Sequence, residues 1–151
     1  MSQVPVGFPT LPELTDPGFR DALQRNFDDL RVALGAVTAY EPWITVGGAG
    51  APAFQNGWAN FGGGLSTVAF YKDNLGNVVL KGQATGGVVG AVIFTLPAGY
   101  LPLERRDFAC GTAAGDGGAG LTITAGGTVI PTAAAGNARV SLDGLVFKAE
   151  Q

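Results

Sequence analysis

The chain has 151 residues, 46% of them apolar and only 14% charged, and its 25 glycines are about twice the ordinary share. That composition excludes a solvated disordered protein and allows one sizeable core with little left for a second domain. A net charge of −3, with nine Lys and Arg scattered along the chain, excludes a basic stripe that could track nucleic acid.

Met1-Ser2-Gln3-Val4-Pro5 has neither the basic start nor the apolar stretch of a signal peptide. No apolar run is long enough to cross a membrane. The chain is therefore expected to be made in the cytoplasm, with no membrane insertion. Residues 1–15, with Pro5, Pro9 and Pro12, read as an extended leader. A helix is predicted over 16–41, with Asp16 as N-cap, Pro17 at the first helical position and Pro42 barring continuation. Leu23, Phe27, Leu30, Leu34 and Val37 follow one another at steps of four, three, four and three. This alternation keeps one seam toward a partner helix and marks these five as oligomerisation residues. The spacing equally fits an amphipathic helix packed on its own head, and it does not distinguish a dimer from a trimer.

From 42 to 151 charge nearly vanishes and short β-type runs alternate with glycine-rich turns, the pattern of an antiparallel β-sandwich or jelly-roll-like head. Strands are predicted at 43–46, 57–61, 67–72, 77–84, 92–96, 108–113, 121–125, 128–131 and 139–148. The clearest hairpin joins Val68–Lys72 to Val78–Gly82 through Asp73-Asn74-Leu75-Gly76-Asn77, with Gly76 placed for a left-handed turn conformation. Gly82, Gly86 and Gly87 mark a bulge or a close backbone approach, for which a neighbouring subunit is one candidate. The single Cys110, beside Phe108 and Ala109, reads as a small buried hydrophobe.

Histidine is absent, which removes Ser-His and Cys-His nucleophiles and the commonest zinc ligands. Asp73 and Asp143 read as turn residues, and Asp116 lies in a glycine-rich loop where a lone carboxylate is thin support for calcium. None of the glycine runs ends in Gly-Lys-Ser/Thr or opens a helix, so they are turns and not phosphate loops. No enzyme, metal or cofactor is expected. Most aromatics of the head must fill its core. The candidate for an exposed platform is Trp58 flanked by Asn56 and Asn60, an apolar ring between amides that suits a carbohydrate; core packing is the alternative.

One succession of blocks carries a family resemblance. Glu41-Pro42-Trp43 comes first, then Ala53-Phe54-Gln55-Asn56-Gly57-Trp58-Ala59-Asn60-Phe61-Gly62. Tyr71-Lys72-Asp73, Gly76-Asn77-Val78 and Leu80-Lys81-Gly82 follow, and Ile93-Phe94-Thr95-Leu96-Pro97-Ala98-Gly99-Tyr100-Leu101-Pro102 closes the series. Together they resemble the β-rich head modules of bacteriophage tail fibres and related virion surface proteins. The resemblance implies a homotrimeric virion component whose head binds a host-surface glycan or protein, or another virion protein. It designates no binding residue. Tail fibres commonly carry long shafts and this chain has almost none, so a capsid or tail decoration protein is the alternative role.

Overall fold

The computed structural model describes residues 16–38, 40–113 and 119–151, so the leader 1–15 and Asp116 lie outside the described residues. The described residues divide into two units, one up to residue 38 and one from residue 40.

In the first unit, α1 spans Pro17–Thr38. Asp16 caps it as expected: its Oδ1 accepts the Gly18 N–H at 3.0 Å, and its carbonyl accepts the Arg20 N–H at 3.1 Å. The helix stops at Thr38, three residues short of the predicted end. Pro42 biases Glu41 toward extended backbone, and the Glu41 carboxylate is already engaged by Tyr100 of the head. Leu23, Phe27, Leu30 and Leu34 share a face and are 44–56% exposed, so the seam is uncovered in a single chain. Val37 lies in the last turn, and its side chain is outside the described residues.

The head is mainly β and antiparallel throughout. Strands β1 (Ile44–Thr45), β3 (Ala69–Lys72), β4 (Asn77–Lys81) and β11 (Leu145–Lys148) form a first sheet in the order β1-β3-β4-β11. A second sheet is β10-β5-β2, built from β2 (Ala59–Asn60), β5 (Gln83–Thr85) and β10 (Val140–Ser141). A third is β6-β9-β8-β7, from β6 (Phe94–Thr95), β7 (Arg106–Ala109), β8 (Gly120–Ile123) and β9 (Thr128–Pro131). All three close on one core. Phe70 of β3 stacks on Phe94 of β6 at 6.1 Å, Phe147 of β11 meets Phe108 of β7 at 6.5 Å, and Ala84 and Val140 join from the second sheet.

The predicted hairpin is β3–β4, in register Tyr71↔Val79. Gly76 takes φ 80°, and Asp73 Oδ1 accepts the N–H groups of Leu75 (2.9 Å) and Asn77 (2.7 Å), while Oδ2 takes the Asn77 amide at 2.8 Å. The Asn77 side chain first, then the backbone donors, hold the Asp73 carboxyl below the usual carboxylate range. A depressed pKa contributes stability that is complete above the ordinary carboxylate value and is lost as pH falls through the folded one. Asp73→Ala should therefore lower the melting temperature at pH 7 and make it less sensitive to acid below about pH 4, as read by circular-dichroism melts.

Two predicted strands are each broken in two. The run 77–84 is cut at Gly82, whose φ of 103° ends the ladder between β4 and β5. The run 139–148 is cut at Asp143-Gly144: Asp143 Oδ1 accepts the Gly82 N–H at 2.7 Å, and Oδ2 accepts the Gln83 amide at 2.5 Å. The two breaks thus hold each other. The strand expected at 108–113 runs instead at Arg106–Ala109. The charged pair Arg105-Arg106 resembles a loop, but Arg105 is neutralised by Asp107 at 2.9 Å and Arg106 faces Glu150 at 3.4 Å. Cys110 is partly buried against the core, as expected, and burial pushes its thiol pKa up.

Candidate binding surface

Sequence reasoning placed a carbohydrate platform at Asn56, Trp58 and Asn60, and the structure moves all three into structural roles. Trp58 is 3% exposed and belongs to the core. Its indole lies on Gly87, where a Cβ would come within 2.2 Å of the ring. The close approach read from the glycines is thus met inside the chain, by Trp58 at Gly87 and by Thr67 at Gly82. Asn56 is a turn residue with φ 51°, its amide donating to the Val92 carbonyl at 2.9 Å. Asn60 Oδ1 accepts the Val68 N–H at 2.7 Å.

Phe61, beside Asn60, is 41% exposed, and two further exposed aromatics, Tyr40 and Trp43, lie where the chain enters the head. Trp43, 39% exposed, sits edge-on to Tyr71 at 4.5 Å, and Tyr40 meets the same Tyr71 at 6.3 Å. Lys81 Nζ lies 4.2 Å from the Trp43 ring centroid, a cation–π contact that holds the indole in place. A shallow groove runs between Trp43-Ile44-Thr45 and the backbone of Gly48 to Ala51.

A second cluster fixes this entrance. Tyr100 donates its hydroxyl to Glu41 Oε2 at 2.6 Å, and the Lys72 backbone N–H reaches the same oxygen at 3.4 Å. Lys72 Nζ bonds the Gly99 carbonyl at 3.0 Å and lies over the Tyr100 ring. Burial, then the hydrogen bond to Glu41 and its charge, push the Tyr100 pKa up to about 12. A raised pKa contributes stability that is complete below the unfolded value near pH 10 and drains as pH rises toward about 12. Tyr100→Phe should flatten that alkaline decline, measured as the urea midpoint against pH.

Asp73, Asp107, Asp143 and Glu150 serve the scaffold. Asp107 is held below the usual range by the Thr122 hydroxyl at 2.5 Å and then by Arg105. Among the described residues, no three acidic or Cys side chains gather as a metal site would require. This arrangement can present an aromatic and aliphatic surface, and its polar groups are engaged in holding that surface in shape.

No protein-family model and no curated protein matches the chain. Among solved structures, the fold is similar to that of the receptor binding protein (gp15) of Listeria phage PSA. The two agree with a TM-score of 0.68 at 13% identity, over 96% of this chain and 83% of that one.

Proposed function

We propose that the chain is a tail-associated phage protein whose β head binds the host surface, with α1 gathering three copies and docking them on the virion. The reading is carried by the pairing of a head that shares the fold of a phage receptor binding protein with a helix whose seam is uncovered. Its mechanism is binding without chemistry. Three weak head contacts to a repetitive glycan or protein surface gain avidity once the heads are tethered, because the second and third contacts form at an effective concentration of about millimolar.

The test is co-sedimentation of the fluorescently labelled intact chain with cell walls from a panel of bacteria, alongside phage particles. Saturable binding to at least one cell wall is expected. Binding to particles alone would replace host attachment with decoration.

A further inference from the structure

We infer that the outer face of the first sheet is the surface through which the heads of neighbouring copies meet; this rests on the self-association proposed for α1. Registers Tyr71↔Val79 and Val79↔Val146 line up one residue from each of β3, β4 and β11, and Trp43, just before β1, packs on Tyr71. The result is an apolar row crossing all four strands, about 14 Å long at the usual strand spacing. The inward neighbours Phe70, Val78, Leu80 and Phe147 are already in the core. An antiparallel sheet with one wet face alternates apolar with polar residues. Here Val146 is 48% exposed where a polar residue would ordinarily stand. An aromatic pair flanked by aliphatic side chains is the composition of an interface centre.

Chain connectivity points to a second copy as the occupant. Tyr40 is 71% exposed and packs on Tyr71 at this face. Only two peptide steps separate it from Thr38, the last residue of α1, and they span at most about 7 Å. A copy recruited in parallel through the seam of α1 therefore arrives with its own Tyr40, Trp43 and Tyr71 close by. Val79 and Val146 suit another apolar row, with Lys81 over the Trp43 ring at its edge.

Three full-length chains test this: the intact protein, Val146→Glu at the strand farthest from the chain entrance, and Val88→Glu as a control on a loop residue 62% exposed. Solution mass is followed on dilution by light scattering, and tryptophan fluorescence by acrylamide quenching. Trp58 is buried, so quenching reports Trp43. Val146→Glu should raise the concentration at which copies separate at least tenfold, and Trp43 should become more quenchable as they part; Val88→Glu should change neither. Val146→Thr, which keeps the β-branched shape, should move both readings the same way by a smaller amount if the glutamate variant does not fold. An assembled chain indifferent to Val146→Glu, with Trp43 equally quenched before and after dilution, overturns this inference and leaves the helix reading intact. Shielding of Trp43 by added cell-wall polysaccharide, but not by assembly, overturns it in favour of a ligand surface. A single-chain mass at every concentration overturns the helix reading and this inference together.

Discussion

Leu30→Glu should reduce the proposed trimer to single 15.3 kDa chains at micromolar concentration, with its helix content falling and its β signal unchanged. Leu30 is in the middle of the seam and 55% exposed in the single chain, so its replacement removes nothing from the head core. In a trimer each Leu30 that returns to water forfeits about 2 kcal/mol. Three of them amount to about 6 kcal/mol, a factor of about ten thousand in association, before any cost of bringing three carboxylates together is counted. Helix content should fall as well, because an isolated helix of this length is marginal in water. Light scattering coupled to size exclusion gives the mass, and circular dichroism separates the helix from the sheets. Arg25→Glu, on another face of α1, is the control and should assemble normally.

Gly82→Ala should destabilise the head by about 3–5 kcal/mol, a large part of what a domain of this size possesses. Two penalties coincide at this position. A φ of 103° is disfavoured for any residue with a Cβ, and the added carbon would lie 2.3 Å from the Thr67 carbonyl oxygen and 2.5 Å from Val68 Cα. Those are backbone atoms of the segment leading into β3, which no rotamer change can move aside. The Gly82 N–H and carbonyl also bond Asp143 and Leu142, so any shift loosens the second break as well. Gly144→Ala is the natural comparison, because its φ of 77° carries the conformational penalty but its Cβ would meet nothing within 4 Å. It should cost about 1 kcal/mol. Urea unfolding of both variants at matched protein concentration reads the difference.

What was legible in the sequence was local. Asp16-Pro17 announces the start of α1, and the Asp73 to Asn77 turn announces the β3–β4 hairpin, because the signal and the structure it specifies lie within a few residues. The features that escaped depend on residues far apart in the chain. Nothing near Trp58 shows that Gly87 will clear a seat for its indole, and nothing near Trp43 shows that Lys81 and Tyr71 will hold it at the surface. Trp58 stands between Gly57 and Ala59 yet is buried, whereas Trp43 stands beside Ile44 yet is 39% exposed, so local sequence does not report their burial. The contact between Glu41 and Tyr100 spans 59 positions, beyond the reach of any local signal. The glycine foreshadows the break at Gly82 and the Asp143-Gly144 pair the turn that answers it, but nothing local shows that the two bond each other.

The most direct measurement is the rate at which the intact chain leaves an immobilised layer of the cell wall that retains it best, compared with the Leu30→Glu chain. A head that binds the host surface and owes its grip to α1 should be released slowly when intact and at least about 100-fold faster when the seam is broken. Equal release rates for the two chains, or retention of neither on any cell wall, would contradict it.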